Sequence, residues 1–303
     1  MSEAVIGFSL PSYLFWLCRG SSSDLVFFEK ADLLGNWAPI EINNRLFESS
    51  CHILSLPSHK LYQKLNKLGF CLSRMSPQPV KFDYASGRTY GYFVNWGIIR
   101  KLLSSIKSRN TKGFLENFNL IFNRFYYFSK GSFEVLNKNL PQIVPENVST
   151  LEVLNDTVIL NERIFSKVFL TPGSVFREVI LNKESIPFPF TKKTSVQSLV
   201  YIKEPCFDLN YVRVLNNRNV FRISKADYSD PNHFLVAGEW NEALSTDVIL
   251  EFLRKMKFAD SMEILHTNEI HDFHANNRIA NRSVEYIYEG EKNFMNCAAQ
   301  ILN

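Results

Sequence analysis

Residues 4 to 29 constrain the chain more than any other stretch. Ala4-Val5-Ile6 is a short apolar run ending at Gly7, Pro11 leads into Tyr13-Leu14-Phe15-Trp16-Leu17, and Gly20-Ser21-Ser22-Ser23 precedes Leu25-Val26-Phe27-Phe28 and Glu29. A continuous apolar run bounded by turn residues reads as a strand buried on both faces. Proline is tolerated in the first helical turn, where its missing N–H has no intrahelical partner. The order is therefore strand, turn, helix, strand, acid. Two parallel strands joined by a helix need a sheet covered on both sides, so the chain is expected to be an α/β protein.

Length and composition allow this. With 303 residues, 46% hydrophobic and 14% aromatic, the chain can bury one large core or two smaller ones. Its 34 basic and 30 acidic residues leave a formal net charge of +4 without a long basic run. Nucleic-acid binders concentrate such charge on one face, so nucleic acid is not an expected partner. Cys18, Cys51, Cys71, Cys206 and Cys297 are odd in number and form no CxxC pair, and are expected to be buried, reduced thiols. The apolar stretch from Ala4 to Cys18 follows Glu3, lacks a basic flank, carries Pro11 and is too short to span a bilayer. A cytoplasmic protein without a membrane span is the expectation.

Further along, Leu61, Leu65 and Leu68 share one helical face after Ser58 and before Gly69, and Phe114, Phe118, Ile121, Phe122 and Phe125 predict a helix over roughly 112–128. Short alternating runs predict strands at 150–154, 158–160 and 168–170, and again at 199–202, 211–215, 220–223 and 234–236, before a helix near 246–256. The chain closes with Val284-Glu285-Tyr286-Ile287-Tyr288, Gly290-Glu291 and an apolar helix.

In a dinucleotide-binding unit the first glycine makes the tight turn, the second admits the pyrophosphate, the third lets helix and strand pack, and an acid about 20 residues on takes the ribose. Here those positions read Gly7, Ser9, Ser12 and Glu29, the last lying 22 residues beyond Gly7. The spacing survives although the composition does not.

The run EKADLLGNWAPIEINNRLFESSCHIL (29–54) then resembles the second signature of the flavin-dependent amine oxidases, protoporphyrinogen oxidases and UDP-galactopyranose mutases. NVSTLEVLNDTVILNERIFSKVFLTPGS (147–174) resembles that family's return to the nucleotide domain, and SVEYIYEGEKNFMNCAAQIL (283–302) its closing strand, Gly-acid pair and helix. All three occur in the family's order and cover about a third of the chain. The resemblance implies a Rossmann-like FAD/NAD(P)-binding domain built from 1–55, 144–174 and 266–303, with a mixed α+β substrate domain from 56–143 and 175–265. It implies FAD as cofactor. Glu29, with Lys30 beside it, would bind the adenosine ribose, Gly35 and Asn36 would lie by the pyrophosphate, His52 would face the flavin, and Gly290, Glu291 and Met295 would approach it from the closing segment.

The chain also departs from that pattern. Ser9 and Ser12 replace two dinucleotide glycines, Asn36 and Ser50 replace two more, and Glu291 stands where Asp is usual. A Cβ where the backbone must approach a phosphate costs on the order of 1–3 kcal/mol or pushes the cofactor outward. Serine is the mildest replacement, because its hydroxyl can itself donate to a phosphate.

Other clusters are less specific. His266, His271, Asp272 and His274 have metal-like spacing but read as a polar surface loop, with no metal expected. Arg88, Arg213, Arg218 and Arg222 fall on strand-like segments; if the substrate were a nucleotide sugar, as in the mutases, such arginines could clamp its diphosphate, and ordinary solvated charge explains them otherwise. The leading expectation is a flavin-dependent oxidoreductase or mutase acting on a small metabolite, with Arg88, Arg213 and Arg222 on its substrate. The rival is a relative that has lost FAD and serves as a binding or assembly subunit, with a protein partner or a second copy of itself. A nucleotide other than FAD is a third reading. The sequence assigns no catalytic residue.

Overall fold

The computed structural model describes residues 2–20, 24–30, 38–49, 54–56, 59–91, 103–104, 106–107, 124–136, 140–171, 178–186, 190–239, 244–275, 279–287, 298 and 301–302. The chain divides into two units, one of residues 1–40, 132–194 and 271–303, the other of residues 41–131 and 195–270.

At the centre of the first unit is a parallel sheet of five strands: β1 (Glu3–Ile6), β2 (Leu25–Phe28), β3 (Gln142–Val144), β4 (Lys167–Leu170) and β5 (Val284–Tyr286). Their spatial order is β3-β2-β1-β4-β5, and every pairing is parallel. Segments far apart in the sequence thus form one Rossmann-like sheet. Parallel strands need cover on both faces, and the alternation along β1 provides for it. Ala4 and Ile6 join Phe28, Val168 and Leu170 on the face that packs against a second, five-stranded sheet, through its Leu151, Val153, Val158, Leu160 and Val179. The opposite face carries Phe27 and Phe169, with Phe8 packed edge-on against Phe27 and Phe15 of helix α1 (Leu10–Arg19) 4.8 Å from Phe169.

The second sheet is made of hairpins whose turns fit their residues. Asn161-Glu162 and Asn182-Lys183 both have positive φ at the two central positions, as does Asn43-Asn44 in the hairpin of Ile40–Ile42 and Arg45–Phe47. Such turns match the twist of their strands, and Asn bears the left-handed conformation with little strain.

The second unit holds a seven-stranded mixed sheet. Its order is Glu263–Ala275, Phe190–Tyr201, His233–Glu239, Val220–Lys225, Tyr211–Leu215, Val80–Asp83 and Arg88–Gly91. One face packs Phe82, Val196, Val200, Val212, Val214, Ile223, Phe234 and Val236 against Ile249, Phe252 and Leu253 of the helix Thr246–Lys255. A smaller antiparallel sheet joins Leu54–Leu56, Arg124–Phe128 and Leu72–Arg74 beside the helix His59–Lys67, whose Leu61 and Leu65 are buried.

Three expectations change. Residues 124–128 are a strand, not the end of an aromatic helix, because Phe125, Tyr126 and Phe128 are held between two neighbouring strands; 112–123 lie outside the described residues. Residues 263–275 are a long strand where a polar loop was expected, since sheet pairing accepts polar side chains on a solvated face. Cys18 and Cys206 are exposed and Cys71 is intermediate, and none of the three is in a disulfide; Cys51 and Cys297 lie outside the described residues. Cys18 falls near the polar end of an amphipathic helix, where its neighbour Arg19 is also exposed. Among the described residues, no helix is long and apolar enough to cross a membrane.

An ion-pair network ties the Arg45–Phe47 hairpin strand to the turn before His233. Arg45 holds Asp227 at 2.7 Å and Asp230 at 2.5 Å, and His233 lies 3.0 Å from Asp230. Burial pushes both carboxyls up. Hydrogen bonds from Ser229 and Arg45 to Asp227, and from the Asn232 amide, His233 and Arg45 to Asp230, outweigh it and leave both below the ordinary carboxylate value. A depressed folded-state pKa contributes stability above the unfolded value and loses it as pH falls through the folded one. Arg45→Met should therefore lower unfolding stability at about pH 7 and lose most of that effect near pH 2, in urea titrations at both.

Packing gives a second expectation. A Cβ on Gly238 would lie 2.2 Å from the Asn219 carbonyl oxygen and 2.8 Å from Leu244 Cδ2. Gly238→Ala is expected to cost about 1–3 kcal/mol in urea unfolding, because backbone stands in the way.

Candidate functional site

In the first unit, the chain turns from β1 into α1 through Gly7, whose φ of +92° suits glycine. The Gly7 N–H donates to the Phe28 carbonyl at 2.9 Å, holding the turn against the end of β2. Glu29 follows β2 directly and is half-buried. Its backbone N–H donates to the Val144 carbonyl at 3.1 Å, and its carboxylate accepts the N–H of Phe8 and, at 2.9 Å, that of Lys30. The acid thus joins the ends of β1 and β2. Thr171, just past β4, is buried and donates its hydroxyl to the Ile6 carbonyl at 3.0 Å, closing the other side of the same strand end.

Ser9 and Ser12, which stand at the second and third glycine positions, form a reciprocal cap on α1. Ser9 is the N-cap residue; the Ser12 N–H reaches Ser9 Oγ at 3.4 Å, and the Ser9 N–H donates to Ser12 Oγ at 2.8 Å. The Ser12 hydroxyl donates onward to the Ser9 carbonyl at 2.9 Å. A helix leaves its first four N–H groups without intrahelical partners, and these normally receive a phosphate in a dinucleotide site. Here the box satisfies Ser9 and Ser12, and Pro11 has no N–H. The side chains that replaced glycine occupy two of the donors that glycine would leave open.

Gly35, Asn36, His52, Gly290, Glu291 and Met295 lie outside the described residues, as does Ser50. Lys30 is exposed beside Glu29.

The seven-stranded sheet brings the expected arginines onto one face. Register pairs Arg213 with Arg222 and Arg213 with Lys81, while Asp83 on the Lys81 strand pairs with Arg88. Register partners project to the same side of a sheet, so all four basic residues share the face opposite Val212 and Val214, which are buried on the helix side. Arg218 sits outside this arrangement, exposed in the turn before Val220. Arg222 donates to Gln197 Oε1 at 2.9 Å; Gln197 is wholly buried and donates through Nε2 to the Ser49 carbonyl. Arg222 Nε is shielded from solvent without a hydrogen-bond partner. Desolvation, and next the charge of Arg213, hold the Lys81 ammonium below its ordinary pKa.

Sequence reasoning missed Lys81 and Gln197. Residues 80–83 gave no strand signal of their own, and Gln197 acquires its role only by contact.

Among the described residues, no group of histidine, cysteine and acidic side chains could hold a metal ion. His266 is exposed, His271 Nδ1 lies 3.3 Å from Thr194 Oγ1, and the side chains of Asp272 and His274 lie outside the described residues.

The architecture has known counterparts. A CLA-producing fatty acid isomerase from P. acnes superimposes with a TM-score of 0.68 at 11% identity, over 99% of this chain and 96% of that one. An oxidoreductase from Methanosarcina mazei matches with 0.67 at 13% identity over the whole of both chains, 100% each. A putrescine oxidase variant from a redesign of cofactor binding matches with 0.60 at 12% identity, over 99% and 98%. The fold is that of the amine oxidases. No protein-family model and no curated protein matches the sequence. Identities this low establish the amine-oxidase fold and leave the chemistry to the residues.

The cap predicts its own measurement. Ser12→Ala removes one hydroxyl of the box and should destabilise the protein by about 1 kcal/mol, whereas Ser9→Gly should cost only a few tenths, as read by urea unfolding.

Proposed function

We propose that the chain is a flavin-dependent oxidoreductase acting on a small metabolite, with FAD held by the first unit. The observation that carries this reading is Glu29, placed immediately after β2 and bonded to the loop that leaves β1. A carboxylate there meets adenosine ribose hydroxyls in dinucleotide-binding sheets. The fit of the remaining residues is workable. Gly7 supplies the left-handed turn, and opening the serine box costs about 1 kcal/mol, small beside the ~8 kcal/mol of micromolar binding.

When bound, the flavin would supply the electron chemistry. This chain's own residues would bind and orient it: Glu29 at the ribose, and Ser9 as a hydroxyl donor at the α1 N-terminus once its bonds to Ser12 are exchanged for phosphate. Gly35, Asn36, His52, Gly290, Glu291 and Met295 are assigned to the same cofactor on the resemblance alone.

The serine box favours one alternative. A helix N-terminus satisfied by its own side chains suits a relative that has lost FAD and binds a partner instead. The two readings part on the visible spectrum of freshly purified protein. Yellow protein with extractable FAD supports the oxidoreductase; colourless protein whose melting temperature does not rise with excess FAD overturns it, since a ligand stabilises by binding the native state. Glu29→Gln keeps an acceptor for the Phe8 N–H while removing the charge, and is expected to weaken FAD by about 1–3 kcal/mol in titration.

A further inference from the structure

Lys81, Arg213 and Arg222 lie side by side on three adjacent strands of the seven-stranded sheet. Like charges directly opposite each other on neighbouring strands repel. Among the described residues, no carboxylate makes an ion pair with Arg213 or Arg222. Asp83 shares the face but already accepts from Asn216 at 2.9 Å, Ser86 at 2.7 Å and the Ala85 N–H at 3.1 Å. One of the three cations, Lys81, is destabilised by its burial and by Arg213. Another, Arg222, is steadied by a wholly buried Gln197 and still has a shielded Nε without an acceptor. Lys81 and Arg222 are thus partly buried beside an exposed Arg213, which a sheet that only needed solvated charge would not require.

We propose that this row is an anion-binding site for a phosphoryl group of the substrate. Adjacent strands stand about 4.8 Å apart, so the row presents three positive charges over roughly 10 Å. A carboxylate carries one charge and is matched by one guanidinium, whereas a phosphate monoester carries about two, with three acceptor oxygens that suit the arginine fork. Arg213 and Arg222 are the oxygen-binding residues, Lys81 adds charge, and Gln197 is a positioning residue that fixes the Arg222 guanidinium. The inference names the substrate class for the proposed oxidoreductase but stands on the second unit's sheet alone, so it holds or fails whether or not FAD binds.

The test uses inorganic pyrophosphate, inorganic phosphate and acetate as probes on the full chain in low-salt buffer, with flavin content measured separately for every sample. Pyrophosphate is expected to raise the melting temperature more than acetate and to bind by calorimetry. Arg213→Gln and Arg222→Gln should each weaken that binding about tenfold or more. Lys81→Met should reduce the response to pyrophosphate. Gln197→Met should free the Arg222 guanidinium and weaken pyrophosphate binding in the wild-type background but not in Arg222→Gln, a dependence that loss of packing alone would not show. Phosphate alone matching pyrophosphate would assign a monoester; pyrophosphate alone would assign a diphosphate, and either supports the site. The proposal is overturned if acetate matches both, if no probe binds, or if pyrophosphate binds equally well to the Arg213→Gln, Arg222→Gln double variant.

Discussion

The bond from the Phe8 N–H to the Glu29 carboxylate ties together the ends of the first two strands of the first unit's parallel sheet. Glu29 sits where the second strand stops, and Phe8 where the chain leaves the first strand for its helix. Around this contact Gly7 bonds to Phe28, Glu29 to Val144, and Thr171 to Ile6. Four strand ends are thereby fixed relative to one another by the backbone and two side chains. Moving the acid would disturb the loop, the helix start and the sheet edge in one step. The same carboxylate therefore serves structure and is the one we propose for the ribose.

The serine cap and the acid pull the functional reading in different directions, and magnitudes settle how far. A cap contributes about 1 kcal/mol, whereas the charge on a dinucleotide's phosphates interacts with a helix N-terminus and its amides more strongly than a hydroxyl does. The cap would therefore weaken the proposed cofactor binding without forbidding it. The comparison with amine-oxidase folds at 11% to 13% identity is consistent with such substitutions, because packing maintains a fold long after individual ligand contacts have changed.

Much of the first unit was legible because local signals agreed. Continuous apolar runs marked β1 and β2, Pro11 marked the start of α1, and the alternation at 150–154 gave the second sheet. Elsewhere local signals misled. Phe122 and Phe125 suit a helical stripe, yet RFYYF at 124–128 is also rich in strand-forming aromatics, and only the neighbouring strands decide between them. The histidine-rich stretch at 263–275 has too little apolar alternation to announce a strand. Arg88, Arg213 and Arg222 could be suspected one by one, and Arg213 and Arg222 pair within one hairpin, but Arg88 joins their face only through the pairing of Val80–Asp83 with Tyr211–Leu215, segments more than a hundred residues apart that no local pattern links. Lys81 belongs to the same row for a reason visible only in register.

The strand order β3-β2-β1-β4-β5 also shapes how the molecule is made. β1 finds β2 within two dozen residues, but its other neighbour, β4, begins only at Lys167. At ribosomal rates of about 5–20 residues per second, the free edge of β1 waits on the order of 10 s before its partner is synthesised. During that interval Ala4, Val5 and Ile6 offer an apolar, hydrogen-bond-hungry edge to any other extended chain. Glu3, at the start of that strand, and Arg19, at the end of α1, form an ion pair in the finished fold. Birth of this protein is therefore more exposed to aggregation than its mature sheet, and yield on expression should depend on chaperone supply and translation speed more than on final stability.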